Sequence, residues 1–345
     1  MTALIEARRV TKIFGGGFFN RSGGLVALGD LSLTIAEAPP TITAIVGESG
    51  SGKTTFARLL LGLTEPTSGQ VCYRGVDLRQ LNPEQRRQFL REVQVIFQDP
   101  FEVYNPFYRV DRVLQEPVLN FRLASSKAQG RELIEEALVS VGLRPDETLG
   151  RYPHQLSGGQ RQRVMVARAL LLRPRVIIAD EPVSMIDASL RATVIENLRN
   201  LNRQFGISLV YITHDLTTAY QMSENIVVLY RGAVAEVGDV ERVVKEPEHP
   251  YTRLLIGSIP QPDPKHSWGL KEYTSDGVGS KEANAGVQQQ GCHFADRCPN
   301  VMPICRAQKP PLYQTAPHRA TACFLYNDAP VAAAETLSEI FVAPA

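Results

Sequence analysis

The stretch "TITAIVGESGSGKTT", Thr41 to Thr55, decides how this chain is read. Its first half is a short, apolar, β-rich run, the pattern of a buried strand. Its second half holds Gly47, four residues, then Gly52, Lys53 and Thr54. "FARLLLGL" follows at once, with Phe56, Leu59, Leu60 and Leu63 at i, i+3, i+4 and i+7, a spacing that predicts a helix with one apolar face against a sheet. Strand, glycine loop and helix in this order let backbone N–H groups turn inward on phosphates, and the helix start adds about half a positive charge. The expected nucleotide contacts are Gly47, Glu48, Ser49, Gly50, Ser51, Gly52, Lys53, Thr54 and Thr55. Lys53 is placed to reach the β and γ phosphates, and the Thr54 hydroxyl to ligate Mg²⁺.

Two later strand ends supply matching chemistry. "RVIIAD" (Arg175 to Asp180) is an apolar strand ending in a carboxylate, the place where α/β sheets bind ligands, so Asp180 is expected to hold the metal through water. Glu181, next in the chain, is the residue to orient and polarise an attacking water. His214, ending "SLVYITH", is a candidate hydrogen-bond partner for the γ-phosphate. Between these strands "SLRATVIENLRNLNRQFG" reads as a helix ending at Gly206, and "NIVVLYRGAVAEVGD" as two strands around an Arg231-Gly232 turn. Alternating strands and helices predict an α/β fold with a largely parallel sheet.

The hundred or so residues before "LSGGQ" (Leu156 to Gln160) have a helical texture, with Leu133, Ile134, Ala137, Leu138 and Val141 on one face. "LSGGQ" is poor material for a core, yet "RQRVMVARALLL" after it reads as a strong helix, so that helix start must need bare backbone. The total composition, 43% hydrophobic and 21% charged in 345 residues with a formal net charge of +1, is that of an ordinary globular chain with no global field for nucleic acid. No apolar run is long enough to span a bilayer and "MTALIEARRV" is not a signal peptide, which predicts a cytosolic location. Of five cysteines, Cys292, Cys298, Cys305 and Cys323 crowd the C-terminal part, spaced by five, six and seventeen residues. In a reducing compartment this suggests metal or cluster ligation before disulfides, and a Cys₄ set suits either Zn²⁺ or a [4Fe-4S] cluster, with reduced thiols as the plain reading.

In order, "GESGSGKTT", "VIFQDP", "LSGGQ", "VIIADEP", "SMID" and "ITHD" resemble the ATP-binding cassette ATPases of ABC transporters. "VGESGSGKTT", "HPYTRLL" near residue 250 and the cysteine pattern look more narrowly like the oligopeptide and dipeptide importer subfamily. The resemblance implies a P-loop NTPase cassette over residues 1–260, with a mostly parallel sheet core, an antiparallel β subdomain and a helical subdomain inserted at about 99–170. A linker (261–290), a Cys-rich extension (291–327) and a flexible tail (328–345) would follow.

It also implies roles. Ser157, Gly158, Gly159 and Gln160 would face the γ-phosphate of ATP held by an opposite cassette, with Asp187 crossing the same interface. Gln98 would sense Mg²⁺ and the attacking water, and Phe14 would stack on adenine. The implied partners are a second ABC ATPase subunit, identical or homologous, and two transmembrane permease subunits, with an extracytoplasmic solute-binding protein reached through them. The chain would then lie on the cytoplasmic face of the cell membrane and power import of oligopeptides, dipeptides or a similar oligomeric solute. For the cysteines the resemblance favours the [4Fe-4S] cluster over zinc. The alternatives are a soluble cassette ATPase acting on ribosomes or DNA, against which one uninterrupted cassette of near-neutral charge speaks, and a redox sensor built on the cysteines.

Overall fold

The computed structural model describes residues 3–15, 24–98, 104–184, 186, 188–259, 290–333 and 335–342. Asp187 and nearly all of the 261–290 linker lie outside the described residues. The chain divides into two compact units, one of residues 1–38, 42–80 and 213–345, the other of residues 39–41 and 81–212.

In the first unit, β1 (Ala3–Phe14), β2 (Leu25–Ala36), β4 (Ser68–Tyr73) and β5 (Val76–Asp77) form an antiparallel sheet ordered β2-β1-β4-β5. A second sheet holds β3 (Ile42–Val46), buried at every position, parallel to β9 (Asn225–Tyr230). It continues antiparallel through β10 (Ala233–Asp239), β12 (Arg319–Thr321) and β11 (Tyr313–Ala316). Strands buried on both faces read as unbroken apolar runs, which is why "ITAIV" and "NIVVLY" lack alternation. The helices of this unit are α1 (Lys53–Leu60), α8 (Leu216–Met222), α9 (Val240–Lys245), α10 (Pro250–Gly257) and α11 (Pro303–Ala307). α1 buries Phe56, Leu59 and Leu60, but it stops at Leu60. Gly62 then turns left-handed at φ +63°, and Leu63 is exposed, not part of the predicted stripe.

In the second unit, β6 (Val93–Ile96), β7 (Val176–Asp180) and β8 (Ser208–Thr213) run parallel. Around them lie α2 (Pro83–Glu92), α3 (Asp111–Asn120), α4 (Lys127–Ser140), α5 (Pro145–Thr148), α6 (Gly158–Leu170) and α7 (Ala188–Phe205). α4 buries Ile134, Ala137 and Leu138 as its periodicity predicts. The Arg163 guanidinium on α6 donates to the Gly142 carbonyl just after α4, at 2.9 Å.

The C-terminal part adds strands to the second sheet. β12 pairs with β10, and at that seam the buried Arg319 guanidinium meets the buried Glu236 carboxylate at 2.7 Å. Glu236 also accepts the backbone N–H of His249 at 3.0 Å. Burial pushes the Glu236 carboxyl up, and the Arg319 charge opposes that shift. The end of the chain, predicted flexible, is held where it is described. Ser338 Oγ accepts the Thr34 N–H of β2 at 3.1 Å, and Asn225 exchanges two hydrogen bonds with the backbone of Val342.

Candidate active site

The phosphate loop in the first unit runs from the end of β3 into α1. Gly47 has φ +155° and Gly52 φ +103°. A Cβ at Gly47 would run into the Leu229 carbonyl oxygen, and one at Gly52 into that of Ala27. Only glycine fits this path. The loop is closed by Ser51 N–H donating to Glu48 O at 3.1 Å, and Ser51 O in turn accepts the Gly232 N–H at 2.9 Å.

Lys53 is 5% exposed, and its Nζ donates to the carbonyls of Gly47 at 2.7 Å and Glu48 at 2.9 Å. α1 starts with no side-chain cap and no acidic residue in its first turn, so its amide dipoles face the loop with no anion of their own. Ser51 Oγ is buried without a hydrogen-bond partner, an orphaned donor inside a loop built for anions. Thr54 is exposed in the first helical turn beside them. Phe14, at the end of β1, is 44% exposed, which fits a stacking platform and not a core residue. His214 follows β8 on an exposed position.

In the second unit, Asp180 ends β7 at 7% exposure, and Glu181 follows it in the left-handed region at φ +46°. Such a backbone costs about 1 to 3 kcal/mol for a residue with a side chain and survives only where it is held. Glu181 N–H donates to Ile212 O at 2.8 Å, while Glu181 O accepts from Ser184 N–H and from Ser184 Oγ at 3.0 Å. The Gln98 side-chain amide donates to the Glu181 carboxylate at 3.1 Å, so the two residues read separately from the sequence meet in space.

The "LSGGQ" signature, Leu156 to Gln160, lies at the head of α6. Ser157 Oγ accepts the Gln160 N–H at 3.2 Å and Gln160 Oε1 accepts the Ser157 N–H at 2.9 Å, a closed capping box. The amides of Gly158 and Gly159, at the first two helical positions, are the donors the box does not use.

Three residues at the phosphate loop carry no local sequence signal as loop ligands. Tyr251 Oη accepts the Glu48 N–H at 2.8 Å; Arg297 donates to both oxygens of the Glu48 carboxylate at 3.0 and 3.1 Å; and Tyr230 packs against both. "HPYTRLL" marks only a subfamily when read as sequence. In the fold its His249 caps α10 and its Tyr251 supports the loop.

The four C-terminal cysteines line one cavity of about 10 Å³, with Phe294, Met302 and Phe324 among its other walls. Burial pushes the Cys323 thiol up to about 11 and those of Cys292 and Cys298 above their usual range. Among the described residues no group of three or more His, Cys, Asp or Glu is arranged to hold a metal ion.

The profile of the family described as ABC transporter matches residues 28–184, and that described as Oligopeptide/dipeptide transporter, C-terminal region, matches residues 235–305. The chain is 40% identical, over 83% of its length and 85% of the relative's, to the putative oligopeptide transport ATP-binding protein YkfD of Bacillus subtilis. It is 39% identical, over 96% of its length and 92% of the relative's, to the probable peptide ABC transporter ATP-binding protein y4tS of Sinorhizobium fredii. This chain belongs to the ABC transporter ATP-binding proteins. It is therefore an ATPase of the ABC type. Among solved structures, the dimeric ATP-binding cassette MJ0796 in a post-hydrolysis state with ADP and phosphate matches at 28% identity and a TM-score of 0.59, covering 68% of this chain and 98% of that one. The structure of cbiO1 from Clostridium perfringens, part of the ABC transporter complex cbiONQ, at 23% identity and TM-score 0.60 over 71% of this chain and 92% of its own length, shares the fold. No helix of the described residues is long and apolar enough to cross a membrane.

Proposed function

We propose that this ATPase is the energy-supplying subunit of an importer for oligopeptides, dipeptides or a similar oligomeric solute. The observation that carries the reading is the oligopeptide/dipeptide C-terminal match downstream of a cassette, in a chain whose relatives are named for peptide transport. Its partners are then a second cassette, identical or homologous, two transmembrane permease subunits and, through them, an extracytoplasmic solute-binding protein. It works from the cytoplasmic face of the membrane.

In this reading the loop from Gly47 to Thr55 grips the phosphates, with Lys53 exchanging its two carbonyl partners for phosphate oxygens. Phe14 stacks on adenine, and Ser51 Oγ finds its missing partner there. Mg²⁺ would be held by Thr54, Asp180 and Gln98, oxygen donors of the kind it prefers, and would offset the negative charge of the phosphates. Glu181 takes up a proton from the attacking water, and its fixed backbone and the Gln98 amide orient its carboxylate. His214 contacts the γ-phosphate. The signature residues Ser157, Gly158, Gly159 and Gln160, with Asp187, serve the nucleotide of the opposite cassette, so each subunit holds half of two sites.

For the cysteine module the reading kept is the [4Fe-4S] cluster, with Cys292, Cys298, Cys305 and Cys323 as thiolates. The donor set fits in kind, four soft ligands lining one apolar cavity, a Cys₄ set that suits a cluster and Zn²⁺ alike. Iron and acid-labile sulfide near four of each per chain in anaerobically purified protein support the cluster; a colourless, metal-free, fully folded protein refutes it.

Affinity purification of the chain from detergent-solubilised membranes of its own source tests the importer. Recovery of two polytopic membrane proteins supports it, and recovery from the soluble fraction with ribosomal or DNA-associated proteins overturns it in favour of the soluble ATPase.

A further inference from the structure

Glu48 is held at every polar group it has. Its carboxylate takes a two-pronged ion pair from Arg297, its N–H donates to Tyr251 Oη at 2.8 Å, and its carbonyl accepts from Lys53 Nζ at 2.9 Å. Arg297 belongs to the cysteine module, 249 residues away in sequence and one residue before Cys298. Its guanidinium lies 5.6 Å from the Phe294 ring centroid and 5.8 Å from that of Tyr230, and its Nη1 donates to Tyr230 Oη at 3.4 Å. A planar fork stacked on rings loses little freedom on pairing, so this contact orients its partner more firmly than a surface lysine could. The turn carrying it, Ala295–Arg297, is fixed on its other side by Asp296, which pairs with Arg306 next to Cys305 at 2.9 Å.

We propose that Arg297 is a positioning residue for ATP binding: the cysteine module grips the phosphate loop through Glu48 and sets the affinity of the site for nucleotide. Lys53 shares the Glu48 carbonyl with this arrangement, so a loop released at Glu48 presents its lysine and amides to the phosphates less well ordered. A change in the cysteine module that moves the Cys298 turn is thereby felt at the nucleotide. The proposal rests on ATP binding at this loop.

The test uses the full-length chain and a fluorescent ATP analogue. Arg297→Ala and Glu48→Gln are each expected to weaken binding by about two- to fivefold, the upper range of a well-oriented, half-exposed ion pair. The double variant should be no weaker than either single one, and Arg297→Lys should recover part of the loss. In steady-state hydrolysis the effect falls on KM for ATP and not on kcat. Additive losses, unchanged affinity in Arg297→Ala, or a loss confined to melting temperature overturn the proposal and leave the ion pair a structural strut. A wild-type chain that fails to bind the analogue overturns the ATPase reading itself, which separates the two failures.

Discussion

Two glycine-rich helix starts in this chain follow opposite plans. α1 begins behind Gly52 with no side-chain cap and no acid in its first turn, whereas α6 begins behind Ser157 inside a closed capping box. At α1 the fold itself demands glycine, because Gly47 and Gly52 have positive φ and a Cβ on either would strike a carbonyl. At α6, Gly158 is the first helical residue, where alanine is favoured by at most the roughly 1 kcal/mol it gains in a helix interior. Gly159 is buried, and Gly158 is only half-buried. The first start is shaped by backbone contacts within its own unit, whereas the second closes its cap with side chains and leaves two glycine amides at the helix head.

The contrast breaks most visibly at the loop. Gly52→Ala puts a Cβ into a backbone carbonyl at a φ that alanine avoids, which costs roughly 3 kcal/mol or more. Thermal unfolding and ATP titration should show a destabilised protein with binding weakened beyond measurement. Near-normal affinity would mean that the loop is not the phosphate grip. Ser157→Ala should act on the other side of the comparison. Removing one donor from an anion site costs about a hundredfold in turnover. Affinity for ATP in the isolated subunit should stay within twofold if, as proposed, Ser157 serves another chain's nucleotide. A parallel loss of affinity would merge the two starts into one site.

A third helix start sharpens the point, since its cap can be titrated. His249 Nδ1 accepts the Tyr251 N–H at 3.0 Å at the head of α10, which requires a neutral ring, and burial lowers its pKa to about 4. Above pH 6.5 the ring is neutral in both the folded and the unfolded chain and costs nothing. Below that value the unfolded chain takes up a proton that the native one refuses, so stability falls as pH drops through the window from 6.5 to 4. The loss is about 1.4 kcal/mol by pH 5.5. His249→Asn keeps a capping acceptor and should flatten that part of the curve in denaturant titrations run across the window; an unchanged slope would assign the acid sensitivity elsewhere.

What the sequence made readable was local. The strand, the glycine loop and the apolar residues Phe56, Leu59 and Leu60 stand in a row, so short-range pattern and backbone sterics sufficed for the loop's place. Asp180 could be placed at a strand end for the same reason. The helix length was overread at Leu63 because periodicity continues past Gly62 while the backbone does not. The supports of the loop were invisible, since Tyr251 and Arg297 reach Glu48 across 203 and 249 residues and neither residue type announces such a partner. The tail was misjudged likewise. Its alanine- and proline-rich text looks unable to pack, yet Leu337 and Ile340 are buried and Val342 is tied to Asn225.

The smallest expected effect discriminates best between a cap and a binding surface. Ser157→Ala removes a capping oxygen and a phosphate donor together, so lost stability of about 1 kcal/mol accompanies lost turnover and the two explanations stay entangled. Gly158→Ala separates them. It leaves the capping box intact, replaces a poor helix former with the best one, and should raise stability by up to about 1 kcal/mol. If Gly158 serves a neighbouring cassette's phosphate, as proposed, the added methyl obstructs it, so turnover should fall while stability rises. Opposite signs in the two measurements can arise only if Gly158 is kept for a ligand outside this fold. A variant both more stable and fully active would reduce "LSGGQ" to an ordinary helix start and return the question of its bare backbone unanswered.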